Sequence, residues 1–469
     1  MINSLPKIKP VPIIEKIKIS SPVENIFSLF ANDVNVSFLN SSMKTDAGRF
    51  SFIGLDPFIH TNNIHLAKTH IRSKDLNVIV DESPFKALSG ILRSYKVENP
   101  TQFPFIAGGI GYFSYDLKDW TEKLPNTAKN DLDLPDMCFT FYQTLLIYDK
   151  TDPETLYISV LDIDHPEYKD PKTIIISLKK IITDTIRDKT GSIKKNSEFD
   201  LRSTFSKKDY MNAVDKILKY IHSGDIYQVC LAQRFTTNWQ GSPYELYLKL
   251  NKINPSPFSA YLNYANYQII SSSPERFLHA SKDILETRPM KGTRPRGKNK
   301  IEDEDLKTEL EKSAKDKAEL LMIVDLERND LGRTSIPGSV EVIEPRRIET
   351  YPTVFQAISV IKSKLSEKYD HIDALTSAFP GGSITGCPKI RAMEIIDELE
   401  PVKRGIYTGA IGYISFHDTL DLNIAIRTMI KKNKNVYFHV GGGIVSDSDP
   451  EKEYEETLHK AYALIQSLL

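Results

Sequence analysis

The sequence predicts an α/β (α+β) protein, and three changes of texture along the chain carry that prediction. From about Glu15 to Arg187, short strand-like runs alternate with turns. The stretch from Asp188 to Ser206 is polar and nearly free of periodicity, and beyond it long helical patterns alternate with strands. The expected organisation is therefore a strand-rich region over residues 1–190, a linker, and a mixed region over residues 200–469.

In the first region, Ile106 to Tyr115 is glycine-rich and aromatic, and Phe139 to Tyr148 is compact and apolar; both read as strands. In the second, Ser206 and Asp209 form a capping-box-like start. Met211, Val214, Ile217, Leu218 and Ile221 follow at helical spacing, and Gly224 marks the stop. Ile226 to Phe235 then alternates as a strand, placing Gln228, Cys230, Ala232 and Arg234 on one face. That face is equally consistent with a half-solvated strand and with a functional one.

The bulk composition bounds the rest. The chain has 469 residues, 40% hydrophobic and 26% charged, which suits a soluble globular protein of two or three domains or one large core. A net charge of −1 gives no electrostatic reason to expect nucleic acid or an anionic membrane as a partner. Three scattered cysteines, Cys138, Cys230 and Cys387, make no disulfide framework and suit a reducing cytoplasm. Met1 to Pro12 lacks the apolar stretch of a signal peptide, and no apolar run approaches the length of a membrane span.

Two acidic pairs stand out. Asp316 and Glu319 lie three apart inside Glu302 to Glu327, a strongly helical segment. In a final helix starting near Pro450, Glu453, Glu456 and Lys460 share one side, beside an apolar stripe of Tyr454, Leu458, Ala461, Ile465 and Leu468. Such pairs could converge on a hard cation such as Mg2+. Acidic helical faces are mostly just solvated, so spacing alone does not establish a metal site.

Phe379 to Lys389 reads FPGGSITGCPK ahead of a helix, with Pro388 at its first turn. Free amides there, with Ser383, Thr385 and Lys389, offer an anion site, although the spacing is not that of a Walker loop. Gly441-Gly442-Gly443 could likewise bring backbone close to a ligand. Both clusters are equally compatible with plain tight turns. Cys387 has no nearby histidine in sequence to make it a nucleophile.

Longer motifs go further: GDIYQVCLAQRF from Gly224, SSSPERF from Ser271, ETRPMKGTRPRG from Glu286 and KDKAELLMIVDLERNDLGR from Lys315. They continue with FPGGSITGCPKIRAMEIIDELEP from Phe379, RGIYTGAIGYIS from Arg404 and VGGGIVSDSDPEKEYEET from Val440. With AGRFSFIGLDPF from Ala47 and PFIAGGIGYFSYD from Pro104, this series resembles the chorismate-utilising enzymes. That family comprises anthranilate synthase component I, aminodeoxychorismate synthase component I, and the isochorismate and salicylate synthases. The resemblance implies a sandwich of large β-sheets flanked by helices, in which the two sequence halves interlock.

Within the family, the resemblance points to amination of chorismate at C4, the aminodeoxychorismate synthase reaction of p-aminobenzoate and folate synthesis. Lys291 stands in PMKGT, where anthranilate and isochorismate synthases carry alanine, and is implied to be a covalent nucleophile. Its amine must be neutral to attack, yet only about one ordinary lysine in two thousand is neutral at pH 7. Burial, a nearby Arg294 or Arg296, or a proton acceptor would have to supply that form. Gln228 stands where isochorismate and salicylate synthases have a lysine base, and glutamine cannot activate water. NPSPFSAYL from Asn254 likewise resembles the aminodeoxychorismate synthase pattern.

The same resemblance implies that Glu275 is the general acid and that Asp316, Glu319, Glu453 and Glu456 hold Mg2+, some of them through water. Tyr407, Arg427 and Lys460 are implied to contact the enolpyruvyl side chain. Thr293, Ser383, Thr385, Gly441 and Gly442 would complete the pocket. Gln356 replaces a histidine usual at its position. Asn40-Ser41-Ser42 replaces the LLES segment of the tryptophan pocket of anthranilate synthases, with Ser41 and Arg49 remaining. No glutamine amidotransferase or lyase segment is recognisable. Ammonia is thus expected from a separate amidotransferase subunit, component II, and pyruvate removal from a separate aminodeoxychorismate lyase. Anthranilate synthesis and a non-catalytic chorismate- or tryptophan-binding role are the alternatives.

Overall fold

A computed structural model describes residues 5–43, 45–64, 68–185 and 200–469. Residues 188–199 of the expected linker lie outside the described residues. The end of that stretch is not linker, because Arg202–Ser203 pairs with Phe235 and Thr236 as a short strand.

Two long antiparallel strands organise the molecule. Phe50–Ile64 lies against Met137–Asp149, with Phe50 opposite Asp149 and Asn62 opposite Cys138. One arm of sheet grows from Met137–Asp149 through Gly108–Phe113, Ala410–Ser415, Thr419–Ile424, Arg276–Ser281 and Ile284–Arg288. It ends at Val354–Lys364, flanked by Met290–Pro295 and Glu341–Thr350. The other arm grows from Phe50–Ile64 through Val36–Asn40, Phe258–Asn263, Tyr267–Ser273, Thr428–Lys432 and Asn435–Ile444. Its last long strand is Gln228–Asn238, which takes Gly386–Cys387 on its far edge. The two halves of the sequence therefore share ladders, Gly108–Phe113 with Ala410–Ser415 and Val36–Asn40 with Phe258–Asn263.

Period-two alternation assigns each strand's two faces. Ile110, Ile411, Leu422 and Leu278 of the first arm meet Leu262, Ile269, Ile430 and Leu231 of the second in one apolar core. The neighbouring residues Tyr261, Ile270 and Met429 point the other way, into a second core with helices Val23–Phe27, Pro171–Thr185, Pro243–Ile253 and Pro450–Leu468. This is the expected α+β sandwich of large sheets. Among the described residues, no helix is long and apolar enough to cross a membrane.

Local signals set several element boundaries. Helix Lys207–His222 starts at Ser206, whose hydroxyl oxygen accepts from the Asp209 amide, and stops before Gly224 at φ +84°. The segment expected as one helix from Glu302 to Glu327 is two, Lys300–Lys312 and Ala314–Gly332. Ser313 is extended between them and caps the second through the Asp316 amide, a local bond that competes with helix continuation. The last helix is rotated from the expected stripe: Thr457, Ala461, Leu464 and Leu468 are buried, while Leu458 is exposed.

Candidate active site

The glycine triplet is strand rather than turn. Gly441, Gly442 and Gly443 pair with Ala232, Leu231 and Cys230 inside Asn435–Ile444. A Cβ on Gly442 would lie 3.2 Å from Glu453 Oε2 and 3.4 Å from Glu456 Oε1. One on Gly443 would lie 3.0 Å from Gln228 Nε2 and 3.2 Å from Lys291 Nζ. Bare backbone here therefore brings functional groups of three separate elements, helix Pro450–Leu468 and strands Gln228–Asn238 and Met290–Pro295, against one strand.

Gln228 is fully buried at the start of its strand, and neither polar atom of its amide has a partner among the described residues. Gln356, 6% exposed, likewise leaves Oε1 unpartnered, and it stands opposite Thr293, which is exposed at the rim. Buried polar groups are nearly always satisfied, so these amides are candidates to bond a ligand or water. Arg234, on the same face as Gln228, is not part of it. Its guanidinium forms a forked pair with Asp131 under the Tyr437 ring.

Glu275 is 5% exposed, and burial pushes its carboxyl up to about 7, against opposing pulls from the Ser383 hydroxyl, the Lys291 charge and the Met290 amide. Lys291, half-buried, faces this group and also the carboxylates of Glu319 and Glu456. The arginines expected beside it are committed elsewhere. Arg294 binds Glu309 and Asp316, and Arg296 binds Asp303 and the Tyr351 carbonyl.

Around Gly442, burial pushes Glu453 up, and its Oε2 has no partner among the described residues, while Ser448 donates to Oε1. Glu456 is held below the ordinary carboxylate range by Lys460, which is 2.7 Å away and also donates to the Gly441 carbonyl at 2.9 Å. Glu319 shares the influence of Lys315 with both. Asp316 stands apart, held at 3.0 Å by Arg294. No three His, Cys, Asp or Glu among the described residues are gathered closely enough to hold an ion as they stand.

Arg427 is half-buried, carries φ +50°, and makes no side-chain hydrogen bond or ion pair among the described residues. A guanidinium so placed is able to pair with an anion. Tyr407 stacks on His439 with ring centres 5.1 Å apart. Thr385 hydrogen-bonds the Gly381 and Gly382 carbonyls, so it shapes the loop rather than opening toward a ligand.

The glycine-rich loop differs from its expected use. Lys389 is spent on Asp330 at 2.5 Å and on the Ala378 and Pro380 carbonyls, and the Gly382 amide donates to Glu327 at 3.0 Å. The anion held by this loop is the chain's own. Arg404 clamps the loop from behind. It is 2% exposed, binds Glu400 at 2.9 and 2.7 Å, and donates to the Ile384 and Cys230 carbonyls. Glu400→Ala strands that charge, so denaturant unfolding should show a loss of about 3–5 kcal/mol, a large part of a typical domain's stability.

The expected tryptophan-pocket residues lie elsewhere. Ser41 donates to the Pro257 carbonyl, and Arg49 forms a forked pair with Asp149.

Over residues 48–466 the chain matches the family described as chorismate binding enzyme. It belongs to that family. It is 41% identical over 431 residues to anthranilate synthase component 1 of Acetivibrio thermocellus, covering 90% of this chain and 87% of the relative. It is 38% identical over 426 residues to aminodeoxychorismate synthase component 1 of Bacillus subtilis (strain 168), covering 90% and 89%. Among solved structures it is similar to anthranilate synthase component I from Streptococcus pneumoniae TIGR4, with a TM-score of 0.78 and 31% identity over 89% of this chain and 92% of that one. The relatives thus carry two activities at similar identity.

For a chorismate-binding enzyme, several neighbours of the cleft escaped the sequence reading. Lys315 and Ser448 act on the acidic cluster, and Glu327 sits behind Glu275. One signal for Glu327 was available: it lies two i,i+4 steps from Glu319 on the same helical face.

Proposed function

We propose that this enzyme is an aminodeoxychorismate synthase component 1, which replaces the C4 hydroxyl of chorismate by an amino group. The observation that carries the reading is the Lys291 amine against Gly443 and beside the Gln228 amide, which has no partner among the described residues. Lys291 attacks C2 as the C4 hydroxyl departs with the proton of Glu275, leaving as water while both ring double bonds shift. Ammonia then attacks C4, both double bonds shift back, and the lysine is expelled from C2. The net change is chorismate and ammonia to 4-amino-4-deoxychorismate and water. Gln228 offers hydrogen bonds but no base, which suits ammonia rather than water as the external nucleophile. Arg427 pairs with a carboxylate of the substrate, with Tyr407 and Lys460 as further contacts.

The acidic cluster fits a hard dication. Glu453 has an unpartnered buried oxygen beside a glycine whose missing side chain leaves room, and Mg2+ commonly takes one or two carboxylates plus water. Glu453 and Glu456 would hold it, with Glu319 acting through water; Asp316 would serve by orienting Arg294. Bound there, Mg2+ supplies positive charge for a substrate carboxylate. Ammonia comes from a separate component II amidotransferase, a separate aminodeoxychorismate lyase uses the product, and three free thiols suit a cytoplasmic setting.

A second reading, amination at C2 to anthranilate, is favoured by the 41% identity to an anthranilate synthase. Mass spectrometry of products from purified protein, chorismate, Mg2+ and ammonium at mildly alkaline pH separates the two. We expect aminodeoxychorismate, convertible to p-aminobenzoate by added lyase. Anthranilate as the main product would replace this reading by the second.

A further inference from the structure

Glu327 projects from helix Ala314–Gly332 and is 3% exposed. Its Oε1 accepts from the Gly382 amide at 3.0 Å, and its Oε2 from the Thr287 hydroxyl at 3.3 Å. It has no ion-pair partner of its own among the described residues, since Lys389 is bonded to Asp330 one turn on. The turn it holds is packed without slack: a Cβ on Gly382 would lie 2.6 Å from Leu326 and 3.2 Å from Glu327 Oε1. The next residue in that turn is Ser383, whose hydroxyl reaches the carboxyl of Glu275.

We propose that Glu327 is a positioning residue for Glu275, pinning the Gly382–Ser383 turn to the helix so that Ser383 orients the reacting carboxyl. The inference rests on the reading of Glu275 as the general acid. The Gly382 amide bond, with the adjoining Ser383 hydroxyl beside the Glu275 carboxyl, transmits the position of a rigid helix to a group that must meet the leaving oxygen. A displacement of about 1 Å there costs on the order of 100-fold in rate.

Burial, the neighbouring Asp330 and the charge of Glu275 all push Glu327 up. The other charges around the two carboxyls are Lys389 on the following helix, Arg333 beside Asp330, and Lys291 and Lys460 facing Glu275. Glu327 thus favours its neutral form while Glu275 ionises, so its hold on Glu275 runs through the turn and not through charge.

The test compares kcat and KM of wild type, Glu327→Gln, Glu327→Leu and Glu275→Gln, with the Glu327→Leu/Glu275→Gln double variant. Glutamine keeps the acceptor for Gly382 and lacks the charge. It should hold kcat within about threefold at unchanged KM. Leucine should lower kcat about 10- to 100-fold at unchanged KM, and this loss should vanish in the Glu275→Gln background. An equal loss in that background would mean general damage and overturn the proposal. So would a loss of about 10-fold or more in Glu327→Gln, which decides the matter alone if the leucine variant does not fold. A fully active Glu275→Gln would instead locate the failure in the general-acid reading.

Discussion

Lys291→Ala should lose C4 amination by about 10³-fold or more in kcat/KM, at least about 4 kcal/mol of transition-state stabilisation. The amine lies beside Gly443 and Gln228. Alanine removes it without crowding the site, because the position is half-buried and the strand Met290–Pro295 keeps its pairing with Val354–Lys364. With C2 no longer taken by lysine, ammonia can attack there directly, so the residual product should be C2-aminated. Intact-mass measurement supplies the direct check. Wild type given chorismate and Mg2+ without ammonia should gain the mass of chorismate less water, and the variant should not. A variant that still makes aminodeoxychorismate at the wild-type rate would rule out the covalent route.

Glu275→Gln should lower kcat by about 10²- to 10⁴-fold, the usual contribution of a positioned acid. The pH profile carries the sharper signature. Burial places the Glu275 carboxyl at about 7, so the proton needed by the leaving hydroxyl is present below that pH and lost as pH rises through it. Wild-type kcat/KM should decline on that alkaline limb, and the variant's residual activity should lack it. Stability should move the opposite way. The folded value lies above the unfolded one of 4.5, so this group's favourable contribution is full below pH 4.5 and is lost as pH rises through about 7. Above that pH wild type keeps a buried charge costing on the order of 3 kcal/mol, which glutamine avoids. Denaturation midpoints of the variant should thus gain on wild type between pH 5 and about 8. A constant difference across that range would refute the burial argument.

Much of the chain was legible because its information is local. Ser206 with Asp209, Gly224 and Pro450 announce helix ends through bonds spanning three or four residues, and those ends stand where expected. Ser313 was read past because a serine inside a helical run looks like surface until its hydroxyl is seen capping Asp316. Gly441 to Gly443 read as a turn or a loop, since glycine disfavours strands on its own, and only pairing with Cys230 to Ala232 holds it extended. The partners of Lys389 and Gly382 were out of reach for the same reason. Asp330 is 59 residues from the lysine and Glu327 is 55 from the glycine amide, and no short-range rule joins them.

By itself the sequence determined the kind of protein, the ordered motifs, and the side chains able to do chemistry: one amine in Lys291, one acid in Glu275, two acidic helical pairs and an amide at Gln228. Those depend on residue identity and near-neighbour spacing, which a chain displays before it folds. Tertiary structure alone decided which charges are free and which are spent. It withdrew Lys389, Arg294, Arg296 and Arg234 into ion pairs, left Arg427 without one, and set Glu327 behind Glu275. The reason is physical: protonation and pairing depend on burial and on groups brought within a few ångströms, and strand pairing between distant segments fixes both.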